Sequence, residues 1–265
     1  MICSPLDQFR ILPIIENMLL GLDFSLTNTA LIQFLSLGSF LFLSLLYTSP
    51  VVYLDQGTQN QKSELTAFLV PNNRWFLLFE NLYKMIHSLL MDNVGVKGQP
   101  YFPFLFAVFN FVLCTNLIGL IPYSFTATSH IIVTFSLALI VFVGVNVIGV
   151  ELHKYRFLNL FLPSGTAFAL AFLLVPLEIV SFLSKPISLS VRLFANMMAG
   201  HTLLKVIAGF AWSMMKGGPL LFIAHVLPLA VLFLLVGLEL GVALIQAYVF
   251  TVLSCIYLND SIHLH

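Results

Sequence analysis

Apolar residues follow two different patterns along this chain. Five stretches are almost free of charge and contain about 20 residues or more, the length that a helix needs to cross a lipid bilayer. Residues 64–92 differ, because apolar side chains such as Leu65, Phe68 and Leu69 recur at spacings of three and four between charged ones. This spacing places the apolar side chains on one face of a helix. The pattern therefore predicts several membrane helices and one amphipathic helix.

Charges, prolines and polar runs set the boundaries of these elements. Thr126–His130 is a polar stretch that divides one long uncharged region into two spans. We predict a single membrane domain, 1–265, composed of an N-terminal segment 1–24, a first span 25–47, the amphipathic helix 64–92, two spans within 101–150 and a helical hairpin within 166–258.

The amphipathic segment 64–92 and the hairpin are expected to lie differently in the membrane. Charged residues interrupt segment 64–92, so we expect a helix in the membrane plane that is broken at Pro71. A solvated surface helix is the alternative. The last apolar stretch, 219–258, would be about 60 Å long as one helix, whereas the hydrocarbon core is about 30 Å thick. The sequence therefore predicts an all-α membrane protein with about five membrane helices, the last two long and strongly tilted.

The overall composition agrees with a membrane location. Hydrophobic residues make up 60% of the chain and charged residues 8%, whereas soluble domains carry roughly 25% charged residues. The net charge is 0, so nothing indicates a nucleic-acid partner. The cysteine and histidine spacings indicate no metal site, and the absence of a phosphate-binding glycine loop argues against nucleotide binding. We expect no cofactor and no catalytic site.

Lysine and arginine residues predict the orientation of the chain. The segments after the first and third predicted spans carry an excess of them, and basic loops face the inner side. With five passages, the N-terminus faces the outer side and the C-terminus the inner side. The inner-side residues are Lys62, Arg74, Lys84, Lys97, Lys154 and Arg156, and the outer-side residues are Arg10, Lys205 and Lys216.

Ionisable residues within the hairpin are the strongest functional signal. Each costs at least about 2.5 kcal/mol in lipid, so such residues usually face water or a partner. Small residues near them, such as Gly200 and Gly241, would allow close helix packing, either with another chain or within this one. The ionisable residues are Glu178, Lys185, Arg192, His201, Lys205, His225 and Glu239.

Arg192 limits what this site can do. A guanidinium keeps its proton, so it cannot relay one, but it favours the ionised form of a nearby carboxylate. Asn196 lies one turn away on the same helical face, while His201 lies close to the opposite face. His201 and Glu239 are groups that can pass protons. This pattern indicates a stator whose moving carboxylate is on another chain. Alternatively, His201 and Glu239 form a purely structural polar pair.

Three segments together resemble one family. LLVPLEIVSFLSKPISLSVRLFANMMAGHTLL, LELGVALIQAYVFTVLSCIYLNDSIHLH and CTNLIGLIPYSFTATSH are similar to subunit a (subunit 6) of F-type ATP synthase in its mitochondrial form. The resemblance covers nearly the whole chain. It implies a proton-conducting subunit of the mitochondrial inner membrane, with its N-terminus towards the intermembrane space and its C-terminus towards the matrix. The implied partners are a ring of c subunits, the peripheral stalk, other membrane subunits of the complex and the lipid bilayer.

The resemblance also assigns roles to individual residues. Arg192 is implied to face the ring, with the polar Asn196 and Gln246 beside it. His201 and Glu239 are implied to lie in the half-channel that opens to the intermembrane side. The matrix-side half-channel would contain Glu178 and Asp260.

Three further residues are candidates with open alternatives. Lys185 could pair with Glu178. His225 either lines the channel or packs as a satisfied histidine, and His130 either lines the outer mouth or has a surface role.

Two other functional classes remain possible on the sequence alone. A self-contained channel or transporter would use Glu178, Arg192 and Glu239 as its own site and would conduct as an isolated chain. A non-conducting membrane scaffold would lose assembly, rather than transport, when Arg192 is replaced.

Overall fold

The computed structural model describes residues 5–16, 18–19, 22–23, 25–48, 74–121, 124–154, 168–218 and 223–263. Most of these residues are helical, which confirms the predicted all-α membrane fold. Short 3-10 helices occupy Pro5–Phe9, Val96–Tyr101 and Ala127–Ser129. The α-helices are α1 (Asn28–Thr48), α2 (Arg74–Asn93), α3 (Phe102–Gly119), α4 (Ile131–His153), α5 (Phe168–Met215) and α6 (Val226–Ile262).

Within the described ranges, four helical segments are long and apolar enough to cross a membrane. A fifth apolar segment, Asn28–Phe42 in α1, is shorter. The four segments are Val96–Gly119, Ile131–His153, Phe172–Met215 and Val226–Ile262.

The last two helices are much longer than the membrane is thick. Helix α5 has 48 residues and α6 has 37, so they are about 72 and 55 Å long at 1.5 Å per residue. A helix of that length fits a core of about 30 Å only at a steep tilt or by extending beyond it. Helix α5 also continues through Pro176 and Pro186. The helix is continuous there although each proline removes one backbone N–H donor.

The apolar core lies where α2, α3, α4, α5 and α6 meet. It contains fully buried side chains such as Leu90 of α2, Leu105 of α3 and Val141 of α4, together with Leu193 of α5 and Leu258 of α6. Within a bilayer such side chains stabilise the bundle through close van der Waals packing, because lipid tails are as apolar as the core. This core fixes the relative positions of α5 and α6.

Three polar contacts tie the helices together at different depths. Thr134 of α4 and Ser190 of α5 are 3.2 Å apart through their hydroxyl oxygens. The Asn116 side-chain amide donates to the Ala243 carbonyl oxygen at 3.4 Å and thereby joins α3 to α6. At the far end, His153 Nε2 lies 3.0 Å from the carbonyl oxygen of Ile262. Buried polar groups of this kind need partners, so these contacts favour one helix arrangement.

Helix α2 is amphipathic. It buries Ile86, Leu89 and Leu90 in the core, while Lys84 is 68% exposed and pairs with Glu80 one turn earlier at 2.6 Å. The predicted start of this helix and its break at Pro71 lie outside the described residues.

The N-terminal segment contains short strands that the sequence pattern did not indicate. β1 (Pro13–Ile15) pairs antiparallel with β4 (Leu26–Thr27), and β2 (Met18–Leu19) pairs with β3 (Leu22–Asp23). Strands of two or three residues are too short to show a period in the sequence.

Candidate functional site

His201 of α5 and Glu239 of α6 face each other between the two long helices. His201 Nδ1 lies 3.4 Å from Glu239 Oε1, and the side chains are 15% and 6% exposed. This is an ion-pair distance when the imidazole is protonated. Neither carboxylate oxygen has a hydrogen-bond partner among the described residues. Because an unpaired buried carboxylate is costly, Glu239 is a group that gains from protonation or from a charged neighbour.

Gly200 makes the space that Glu239 occupies. A Cβ atom on Gly200 would lie 2.8 Å from Glu239 Oε1 and 3.2 Å from its Cδ. The small residues predicted around this site therefore serve different purposes. Gly200 admits a side chain of the same molecule, whereas a Cβ atom on Gly237 or Gly241 would meet nothing within 4 Å among the described residues.

Thr126 is a third member of this cluster that sequence reasoning missed. Its hydroxyl oxygen lies 3.1 Å from His201 Nε2. Thr126 is 4% exposed and precedes the 3-10 helix Ala127–Ser129 in the connection between α3 and α4. In the sequence it is marked only by lying in the polar stretch Thr126–His130 and in one of the segments that carry the family resemblance. We call Thr126, His201 and Glu239 the outer cluster.

Lys185 and Asp260 form a second cluster near the end of α6. Lys185 Nζ donates to Asp260 Oδ2 at 2.8 Å and lies 5.1 Å from the centre of the Tyr257 ring. These three side chains line a cleft that Asn146 of α4 also lines. The expectation that Lys185 pairs with Glu178 is wrong, because Lys185 reaches across to α6 instead. We call Lys185, Asp260 and Tyr257 the inner cluster.

Arg192 lies on α5 between the two clusters. It is exposed and follows Lys185 by seven residues and precedes His201 by nine, so it is about 10 and 14 Å from them along the helix axis. Of the carboxylates that the structure describes, none forms an ion pair with Arg192. Asn196 on α5 and Gln246 on α6 are half-buried.

The two clusters are far apart along α6. Glu239 and Asp260 are separated by 21 positions, or about 31 Å of helix. That length is comparable to the thickness of the hydrocarbon core. The arrangement thus offers ionisable groups at two separate depths and a permanent cation between them.

The remaining candidates lie outside both clusters. Glu178 is half-buried on α5, and His225 is the residue immediately before α6. His130 precedes α4, and its ring stacks on Phe125 with centroids 5.2 Å apart. Burial lowers the pKa of His130, and a hydrogen bond with the Phe9 backbone acts in the opposite direction. Its imidazole is therefore favoured in the neutral form.

The fold and these clusters define a class: a multi-pass membrane protein with ionisable groups along a pair of long helices. In the described ranges, no group of three His, Cys, Asp or Glu side chains could hold a metal ion.

Comparisons with known proteins are more specific. The family model "ATP synthase A chain" matches residues 32–259. The chain is 55% identical to ATP synthase subunit a of Pylaiella littoralis over 262 residues, which is 99% of each chain. It is 49% identical to that of Chondrus crispus over 264 residues, covering 100% of this chain and 98% of the relative. It is 44% identical to that of Paramagnetospirillum magneticum over 266 residues, or 99% of each.

The chain belongs to the ATP synthase A chain family. It is accordingly a subunit of the membrane sector of a rotary ATP synthase rather than a catalytic subunit.

Proposed function

We propose that this chain is the stator that carries protons to and from a rotating ring of c subunits through two offset half-channels. The observation that carries the proposal is the position of exposed Arg192 between two separate clusters of ionisable residues. A continuous channel would need no fixed cation at its middle. Two routes that end at different depths need one, because a direct leak between them would uncouple proton flow from rotation.

The outer cluster is the proposed entry route. A proton arriving at His201 passes to Glu239 and then to a carboxylate of the ring. The 3.4 Å separation of Nδ1 and Oε1 supports this step, since a movement of a few tenths of an ångström would bring the two atoms within the reach of about 2.6–3.2 Å that proton transfer needs. The half-buried Asn196 and Gln246 provide polar side chains on the two helices for this path.

Arg192 is proposed to separate the two routes. Its guanidinium stays charged, so it repels a proton and attracts the ionised ring carboxylate. After nearly a full turn in lipid, the protonated ring carboxyl meets the inner route and releases its proton towards Glu178 and Asp260. Lys185 pairs with Asp260 on this route. Each proton contributes about 2.3 kcal/mol per 100 mV of membrane potential.

The proposed location is the mitochondrial inner membrane, with the N-terminus towards the intermembrane space and the C-terminus towards the matrix. The excess of lysine and arginine in the segments after the first and third spans supports this orientation. The proposed neighbours are the c-subunit ring, the peripheral stalk, other membrane subunits and lipid.

ATP-driven proton pumping in membranes that carry Arg192→Ala tests the proposal. Capture of the c-subunit ring with the variant serves as the assembly check. We expect an assembled complex without pumping. Arg192→Lys should also lose ATP synthesis, because a lysine ammonium is compact and loses its proton more readily when buried. Lys84→Ala, which removes an exposed cation from α2, is the matched control and should pump normally.

The same experiment separates the rival functions. Normal pumping by Arg192→Ala would refute the stator proposal. If Arg192→Ala fails to capture the c-subunit ring, and pumping falls only as far as assembly falls, the chain is a scaffold. Proton conduction by the purified chain alone, which the stator proposal excludes, would indicate a self-contained channel.

A further inference from the structure

Thr126 has an unusual position for a threonine in a connection between two helices. Its neighbours Ser124 and Ser129 satisfy their hydroxyls locally, since they donate to the carbonyl oxygens of Ile118 and Thr126 at 2.6 Å each. Thr126 makes no side-chain capping bond to the 3-10 helix that follows it. Its hydroxyl instead contacts His201, 75 residues away in the sequence. The hydroxyl therefore reaches a functional group on another helix.

The hydroxyl also has a second partner of a different kind. Thr126 Oγ1 lies 3.5 Å from the carbonyl oxygen of Gly119 at the end of α3, compared with 3.1 Å from His201 Nε2. A carbonyl only accepts hydrogen bonds, whereas a hydroxyl both donates and accepts. Thr126 can thus donate to the lone pair on His201 Nε2, or accept from an Nε2–H while it donates to Gly119.

We propose that Thr126 is a positioning residue that holds the His201 ring in place while the charge of that ring changes. The inference rests on the proposed function, because it concerns the proton step at His201. When the single proton of neutral His201 is on Nδ1, the Thr126 hydroxyl donates to the lone pair on Nε2. When that proton is on Nε2, as it is after Nδ1 has given its proton to Glu239, Nε2–H donates to Thr126 Oγ1. When His201 is an imidazolium, its Nε2–H donates to Thr126 Oγ1, and the hydroxyl proton turns towards the Gly119 carbonyl. Nδ1 faces Glu239 in all of these states.

The proton step leaves Thr126 unchanged. The Nδ1–H bond of the imidazolium breaks, and an O–H bond forms at Glu239 Oε1. A cation and an anion become a neutral imidazole and a neutral carboxylic acid, so charge and protons balance. The hydroxyl only fixes the direction of Nδ1. Since a proton transfer needs near-linear alignment over a short distance, free rotation of the ring would slow this step.

Gly119 supports the same inference independently. A Cβ atom on Gly119 would lie 2.8 Å from Thr126 Cγ2, but 3.5 Å from its Cβ and Oγ1. The end of α3 therefore leaves room for a threonine side chain at this place. Only the methyl group of Thr126 would collide with a larger residue at position 119.

The first test compares Thr126→Val with Thr126→Ser in ATP-driven proton pumping. Valine keeps the shape and removes the hydroxyl, whereas serine keeps the hydroxyl. We expect Thr126→Val to reduce the pumping rate at least about tenfold in assembled complexes, as for loss of a hydrogen bond to a charged group. Thr126→Ser should retain most of the rate. Normal pumping by Thr126→Val, or an equal loss in Thr126→Ser, would overturn the inference.

A second test does not depend on the valine variant. Gly119→Ala should displace Thr126 and lower the pumping rate. The double variant Gly119→Ala/Thr126→Ser lacks the colliding methyl group and should recover the rate. Failure of the double variant to recover, although it assembles, would contradict the proposed role of the hydroxyl.

Glu239→Gln, measured in parallel, distinguishes the failure of this inference from failure of the proposed function. If Glu239→Gln pumps normally, the proposed entry route is wrong, whatever Thr126 does. If Glu239→Gln is impaired while Thr126→Val is normal, the entry route stands and the positioning role fails.

Discussion

Gly200→Ala adds a single methyl group at the contact between α5 and Glu239. The new Cβ would lie 2.8 Å from Glu239 Oε1, so the carboxyl group must retreat by about 0.6 Å to reach an ordinary contact of 3.4 Å. The oxygen that must move, Glu239 Oε1, is the same atom that faces His201 Nδ1. The separation from His201 Nδ1 would then grow from 3.4 Å towards about 4 Å.

The size of the effect follows from Coulomb's law. At an effective dielectric constant of about 20, an ion pair is worth about 4.9 kcal/mol at 3.4 Å and about 4.2 kcal/mol at 4.0 Å. The difference of about 0.7 kcal/mol corresponds to a roughly threefold lower occupancy of the ion pair from which the proton is transferred. Loss of alignment for proton transfer adds to this, so threefold is the smallest reduction we expect.

Proton pumping by assembled complexes measures this effect, with Gly209→Ala as the matched control. Gly209 lies on the same helix, and a Cβ there would meet nothing within 4 Å among the described residues. Both substitutions raise helix propensity by about 1 kcal/mol, so only the contact with Glu239 differs between them. Equal pumping by the two variants would refute the conclusion that Gly200 positions the carboxylate.

Three further predictions concern other parts of the chain. Asp260→Asn should lower thermal stability by less than about 1 kcal/mol, because the pair with Lys185 is partly exposed (27% and 41%); a larger loss in thermal unfolding of the purified complex would contradict this. Burial lowers the pKa of His130 in the folded protein below its unfolded value of 6.5, so protonation of His130 favours unfolding. The contribution of His130 to the free energy of unfolding is therefore complete above pH 6.5 and is lost as the pH falls below 6.5. His130→Phe, which keeps an aromatic ring against Phe125, should therefore flatten the decline of the unfolding temperature between pH 7 and 5, and an unchanged slope would count against it. A Cβ atom on Gly241 would meet nothing within 4 Å among the described residues. Gly241→Ala should therefore leave the stability of the isolated chain undiminished, and it should impair pumping and ring capture only if another subunit packs against this position.

Local sequence patterns were sufficient to predict the long helices but not the short N-terminal strands or all contacts between the helices. The period of 3.6 residues places His201 close to the helical face opposite Arg192, and in the structure Arg192 is exposed whereas His201 contacts Glu239. Uncharged runs of 20 residues or more predict membrane helices because lipid imposes this length. Both inferences depend only on residues that are close together in the sequence, so they can be made without knowing the tertiary structure.

Contacts across the bundle carry no such signal. Thr126 lies in a short polar connection without periodicity, and its partner His201 is 75 residues away. A pair of Lys185 with Glu178 on the same helix is a reasonable expectation from the sequence, but seven residues correspond to about 10 Å of rise. Asp260 is nearer in space because α5 and α6 pack against each other. Only tertiary packing could decide between the two carboxylates.

The exposure of Arg192 is the feature that most limits the possible functions. A guanidinium within an apolar helix costs at least about 2.5 kcal/mol unless water or an opposite charge compensates it. None of the carboxylates that the structure describes forms an ion pair with Arg192, whereas Lys185 has Asp260 and His201 has Glu239. The other two candidates thus have compensating groups within the chain. The proposed stator function accounts for this difference, because it places a carboxylate of another chain opposite Arg192.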